Sequence, residues 1–192
     1  MKEFAIKAFD DSAEIKRRFA RDHADRIVQV AQLIGGALQA GHKVLLFGNG
    51  GSSTDAAHIA AEFVGRYKRE RAPLPAIALA TDIAAITCIA NDYGFEELFA
   101  RQVQAHGQRG DVAIAISTSG NSPNVLKGVE AAKALGLTTI AWTGGTGGKL
   151  AGMVDYAFVV PSTLTARIQE SHITLGHVLC ELIEDHVLAN PA

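Results

Sequence analysis

Apolar residues are spaced in two different ways along this chain. Near the start, Ile27, Val28, Ala31, Leu33, Ile34 and Leu38 recur at helical intervals. The pattern predicts two long helical segments, about Lys2 to Ala20 and Asp22 to Ala40, with Gly41 as a natural stop. Beyond Gly41 the pattern changes to short apolar runs, each followed by a turn rich in Gly, Ser or Asn and then a helical stretch. Val44–Phe47 leads into Gly48-Asn49-Gly50-Gly51-Ser52-Ser53 and a helix to about Tyr67. Ala76–Leu79 leads into a helical stretch ending near Ala90. Val112–Ile116 leads into Ser117-Thr118-Ser119-Gly120-Asn121, then a helix with Ser122 as N-cap, Pro123 in its first turn and Gly136 past its end. Thr138–Trp142 precedes a glycine-rich loop, Thr143 to Gly148, read as a flexible turn. Tyr156–Val160 precedes a long helix, Thr165 to Leu188.

Strands that alternate with helices and are apolar on both faces predict an α/β fold: a three-layer sandwich with a central parallel sheet flanked by helices, and added N-terminal helices. Length narrows this to one domain over residues 1–192, with residues 1–40 as a helical extension. The 48% hydrophobic content is enough for a real core. Lys and Arg number 18 against 20 Asp and Glu, a net charge of −2, which argues against a nucleic-acid partner held by phosphate electrostatics. The longest apolar candidate, Ala76 to Ala90, is interrupted by Thr81, Asp82 and Thr87, so no membrane span is expected. The N-terminus has no continuous apolar stretch of the secretory kind. Two cysteines, Cys88 and Cys180, stand far apart and outside any CxxC, so a reducing cytoplasm is the expected setting.

Two loops are suited to an anionic ligand. Ser117, Thr118, Ser119 and Ser122 offer four hydroxyls at the start of a helix, a combination fitted to a phosphate monoester. Gly48-Asn49-Gly50-Gly51-Ser52 lets the main chain approach a ligand without Cβ interference. Gly, Ser and Asn are also ordinary turn residues, and it is the pairing of two such loops after buried-type strands that favours a ligand site. Neither loop matches a dinucleotide or P-loop fingerprint.

His58 and Glu62 are four residues apart in a helical stretch, which puts both on one face, able to bind one metal ion or to act on a substrate as acid and base. Gln169, His172 and His177 are polar positions in an otherwise apolar last helix. Gln169 and His177 differ by about 12 Å along the helix axis, so they share one metal only at full stretch, or serve sites assembled from different subunits. His23, His42, His106 and His186 read as structural groups. Arg66-Tyr67-Lys68-Arg69-Glu70-Arg71 reads either as a solvated helix end or as a patch that draws in an anionic substrate.

Taken in order, Gly48–Ser52, Asp55-Ala56-Ala57-His58 with Glu62, Asn91-Asp92-Tyr93-Gly94, Ser117–Ser122 and Ala166-Arg167-Ile168-Gln169-Glu170 with His177 resemble the sugar isomerase (SIS) family and, within it, the bacterial phosphoheptose isomerases. The resemblance runs over nearly the whole chain. It implies a cytoplasmic homotetramer, with residues 1–40 packed in the oligomer and sites at subunit interfaces. It implies interconversion of D-sedoheptulose 7-phosphate and D-glycero-D-manno-heptose 7-phosphate, the first step toward lipopolysaccharide or nucleotide-activated heptose. It further implies zinc held by His58, Glu62, Gln169 and His177, and an acid/base pair at Glu62 and His177. Substrate contacts are implied at Asn49, Gly50, Gly51, Glu62, Asn91, Asp92, Ser117, Thr118, Ser119, Ser122 and Gln169. A relative of the same fold binds the bacterial replication initiator as a non-catalytic scaffold; the presence of both Glu62 and His177 favours the enzyme. A transcriptional sugar-phosphate sensor would need a DNA-binding domain for which one α/β domain of this length leaves no room.

Overall fold

The computed structural model describes residues 1–190. α1 (Lys2–Gln39) is one uninterrupted helix of 38 residues rather than the two expected segments. The Arg21–Asp22 junction contains neither Gly nor Pro, and nothing else there breaks a helix. The chain continues through β1 (Val44–Gly48), α2 (Gly51–Val64), β2 (Ala76–Ala78), α3 (Ile83–Tyr93), α4 (Leu98–His106), β3 (Val112–Ile116), α5 (Pro123–Leu135), β4 (Thr138–Gly144), β5 (Tyr156–Val160) and α6 (Thr165–Ala189). The apolar spacing does not disclose α4, whose 9 residues are too few to establish a period. α3 runs past Ala90 to Tyr93 and ends at Gly94, with φ of +91°. α5 begins as expected, with Pro123 following Ser122, and closes on the left-handed Gly136.

All strands are parallel and lie in the order β2-β1-β3-β4-β5. Successive side chains point to opposite faces, and both faces are covered, which is why the strands read as continuous apolar runs. Val44, Leu46, Ile114 and Trp142 pack with α1, α2 and α6 through Val30, Ile59, Phe63 and Leu179. Leu45, Phe47, Ala113 and Ala115 pack with α3, α4 and α5 through Ile89, Phe99, Val103 and Val129. Small residues let α5 approach closely: a Cβ on Gly128 would lie 2.8 Å from the Phe47 ring and 2.9 Å from Phe99 Cβ.

Two carboxylates, the buried Asp111 and the more exposed Asp155, tie the strands together at their amino ends. Asp111 accepts from the backbone N–H groups of Lys43 (3.0 Å) and Gln108 (2.8 Å) and pairs with Lys43 Nζ at 2.7 Å. Asp155 accepts from Thr139 N at 2.8 Å and Thr139 Oγ1 at 2.7 Å. Burial alone would raise both carboxyls, but these donors outweigh it and hold both below the ordinary value. A carboxyl lowered in the folded state stabilises the fold fully above its unfolded value, about 3.9 for Asp, and ceases to do so as pH falls through the folded value. Asp111→Asn is therefore expected to be less stable than wild type at neutral pH, with the gap narrowing below about pH 4. Urea denaturation across a pH series measures this, and a gap constant with pH contradicts it.

Candidate active site and metal centre

The strand order places a topological switch between β1 and β3, where successive connections leave the sheet in opposite directions and open a crevice at the carboxyl ends. Both ligand-type loops predicted from sequence flank that crevice. They are joined there: the Asn49 and Asn124 side chains exchange hydrogen bonds, each 2.8 Å. Gly48 is required for the close approach, since a Cβ would stand 2.7 Å from Ile116 O. Gly50 has a positive φ of 55° and turns the chain into α2.

In the hydroxyl loop, Ser117 Oγ and Ser122 Oγ lie 3.1 Å apart, Ser117 is buried, and Ser119 is exposed. Thr118 and Ser119 open onto a cleft of about 870 Å³, also lined by Thr146, Ser162, Thr163 and, from α1, Arg18. The Thr143–Gly148 segment is not the free turn expected. β4 extends through Gly144, and the following turn docks on the hydroxyl loop, with Leu150 N donating to Gly120 O (2.9 Å) and Lys149 N to Asn121 Oδ1 (3.1 Å).

On the face shared by α2 and α6, three of the four expected metal ligands converge. His58 Nε2 lies 3.2 Å from Glu62 Oε1 and 3.4 Å from His177 Nε2, and the two imidazoles meet edge to face at 5.0 Å. All three donor atoms fall within 4.8 Å of one another. Two imidazole nitrogens that face each other need a proton or a cation between them. Ligands of a single tetrahedral zinc, at about 2.0–2.1 Å each, stand about 3.4 Å apart, so two imidazoles and a carboxylate in this arrangement fit that ion. Cys180, buried nearby, is not a competing thiolate: burial first, and the charge of Glu62 second, push its thiol up to about 12.

Gln169 stands on α6 against Gly51, whose Cβ would lie 2.5 Å from Gln169 Nε2. It thus meets the glycine loop, two turns before His177. α2 and α6 run side by side, with Gly51 beside Gln169 at one level and His58 beside His177 at the next. Asn91 and Asp92 are exposed on α3 and hydrogen-bond to each other at 2.7 Å. None of the trio lines the large cleft.

Four of the other histidines have structural surroundings, and His106 is exposed at the end of α4. His172 is fully buried, contacts Thr143 O through Nε2 at 3.1 Å, and is driven down to about 4 by burial, so it is neutral at ordinary pH. His23 lies among Phe19 and Phe158, His42 beside Asp111, and His186 against Gly35 where α1 crosses α6. The basic segment is neither a helix end nor a free patch. α2 stops at Val64, and Lys68, Arg69 and Arg71 are each paired with an acid on α6: Glu181, Asp185 and Glu184. The sequence signal for that pairing is the acidic spacing of Glu181, Glu184 and Asp185 within the last helix.

The SIS domain family profile matches residues 9–144. The phosphoheptose isomerase of Aquifex aeolicus is 60% identical over 187 residues, covering 97% of this chain and 98% of that protein. The one from Thermodesulfovibrio yellowstonii is 58% identical, over 97% of this chain and 92% of that protein. Among solved structures, the phosphoheptose isomerase from Neisseria gonorrhoeae superposes with a TM-score of 0.90 at 43% identity, covering 96% of this chain and 98% of that one.

The spacing of α2 from α6 depends on Gly176, one residue before His177: a Cβ there would lie 2.5 Å from Ile59 Cδ1 and 3.2 Å from the Trp142 ring. Gly176→Ala is expected to cost about 1–3 kcal/mol through overpacking. Gly36→Ala, in α1 with open space around its Cβ position, should instead stabilise by about 0.4–1 kcal/mol. Chemical denaturation midpoints separate the two; equal effects would contradict this account of the helix contact.

Proposed function

The chain belongs to the SIS domain family, among its phosphoheptose isomerases, and we propose that it interconverts D-sedoheptulose 7-phosphate and D-glycero-D-manno-heptose 7-phosphate in the cytoplasm, at the entry to activated-heptose synthesis. The observation that carries this reading is the convergence of Glu62 and His177, with His58 between them, on one face of the α2–α6 pair.

Moving the carbonyl from C2 to C1 requires one proton to leave C1 and one to arrive at C2, with an enediol or enediolate between. No oxidant or reductant is consumed. Glu62 takes the C1 proton and returns it to C2. Only its Oε1 is engaged by His58, which leaves Oε2 for the proton. His177 supplies a proton to the carbonyl oxygen and recovers one from the neighbouring hydroxyl. His58, Glu62 and His177 are the residues that would hold zinc, with Gln169 as the fourth donor carried by the family resemblance. When bound, zinc would supply Lewis-acid polarisation of the substrate oxygens. With zinc bound, Nε2 of His177 would be a ligand; without it, the same nitrogen is free to carry the proton.

Ser117, Thr118, Ser119 and Ser122 are assigned to the phosphate, and Asn49, Gly50, Gly51 and Gln169 to the sugar hydroxyls nearby. Asn91 and Asp92, exposed on α3, complete the set. Self-association, assigned here as a homotetramer, is supported by Phe4, Ile6 and Phe9, which are exposed on the first turns of α1, and by a trio that stays partly open in one chain. Among the described residues no helix is long and apolar enough to cross a membrane. Neither the geometry nor the relatives above support the initiator-binding scaffold.

The test is incubation of purified protein with sedoheptulose 7-phosphate, with and without zinc, and detection of the aldose phosphate. Its absence under both conditions rejects the reading. Glu62→Gln should abolish turnover without changing the oligomer, and His177→Ala should lower turnover comparably; an active Glu62→Gln protein removes the proton assignment. Ser119→Ala should mainly raise KM, and an unchanged KM would detach that hydroxyl from phosphate recognition.

A further inference from the structure

We propose that Tyr67 is a positioning residue for His177: its ring fixes the imidazole in the orientation the isomerisation needs. The inference rests on the isomerase reading above. It goes beyond it by assigning a task to a residue that lies on neither catalytic helix.

The Tyr67 ring stacks on the His177 imidazole, with centroids 5.6 Å apart and planes 24° from parallel. The edge of His58 closes in on the same imidazole at 5.0 Å and 74°. One face of His177 is thus covered by a flat ring while Nε2 remains directed at His58. An imidazole has two side-chain torsions, and a stacked aromatic removes the rotamers in which the ring swings away.

Tyr67 itself is held by an extensive set of contacts for a surface connection. Glu184 accepts the backbone N–H groups of Tyr67 (3.2 Å), Lys68 (3.0 Å) and Arg69 (2.9 Å). Arg71 pairs with Glu184 at 3.2 Å, and the side chains are only 4% and 1% exposed. The Arg71 guanidinium also donates to the carbonyl oxygens of Glu62 (2.8 Å), Phe63 (2.9 Å) and Ala72 (3.0 Å). Lys68 bonds Glu181 at 2.8 Å and sits 5.5 Å from the centre of the Tyr67 ring. A buried ion pair stabilises little by itself after desolvation, and what it adds is a defined arrangement. Here the arrangement links the main chain of Glu62, the loop after α2 and the last helix, and Tyr67 is the side chain it delivers to the catalytic face.

The test is steady-state kinetics of Tyr67→Ala, Tyr67→Leu and Tyr67→Phe with sedoheptulose 7-phosphate, together with zinc titration of each metal-free protein. Tyr67→Ala and Tyr67→Leu should lower kcat by about 10- to 100-fold, the scale of a misplaced catalytic group, with KM within twofold because the phosphate loop is untouched. Both should bind zinc about tenfold more weakly. Tyr67→Phe, which keeps the ring, should restore kcat and zinc affinity to within about threefold of wild type. Alanine and leucine variants with wild-type kcat and zinc affinity overturn the proposal. So does a loss confined to KM, which would make the ring a substrate contact, or a phenylalanine variant as impaired as alanine, which would place the function in the hydroxyl. A wild-type protein that does not turn over this sugar rejects the isomerase reading itself, whereas an active wild type matched by Tyr67→Ala rejects only the role of Tyr67.

Discussion

The close contact between α2 and α6 is the constraint on which the site depends. Both helices lie on one face of the sheet, and they can approach only because Gly176 leaves room for Ile59 and Trp142. A larger residue at that position would move His177 away from His58 and Glu62 along with its helix. Packing density and the geometry of the His58–Glu62–His177 cluster are therefore set at the same point, one residue apart in sequence.

The two ends of the sheet have separate tasks. At the amino ends, Asp111 and Asp155 join neighbouring strands through charge-assisted hydrogen bonds that contribute to stability. At the carboxyl ends, glycines replace side chains so that main chain can meet main chain: Gly48 against Ile116, and Gly147 and Gly148 against Ser119 and Gly120. The hydroxyl loop is thereby supported from β1 on one side and from the Thr143–Gly148 turn on the other, a preorganised cradle whose donors need little rearrangement to meet an anion.

Much of this was readable from residues. The strand runs, the glycine and hydroxyl loops, the Ser122-Pro123 start and Gly136 end of α5, and the one-turn spacing of His58 and Glu62 all follow local rules that the tertiary structure respects. What escaped the sequence was long-range. Continuity of α1 escaped because an absence of breakers is a weak signal. α4 escaped because it is short. The segment from Arg66 to Arg71 was misjudged because its charges are answered by acids more than 100 residues later, and charge runs look solvated when their partners are distant. The convergence of His177 with His58 belongs to the same class: spacing along one helix says nothing about which other helix lies beside it.

Sequence order has a further consequence. His58 and His177 are 119 residues apart, and between them run four of the five strands, while α6 closes the described chain. During synthesis His58 and Glu62 leave the ribosome long before His177 exists. A growing chain thus carries its glycine and hydroxyl loops before the His58–Glu62–His177 cluster can exist, and the cluster forms only when α6 docks on α2 as a late long-range closure.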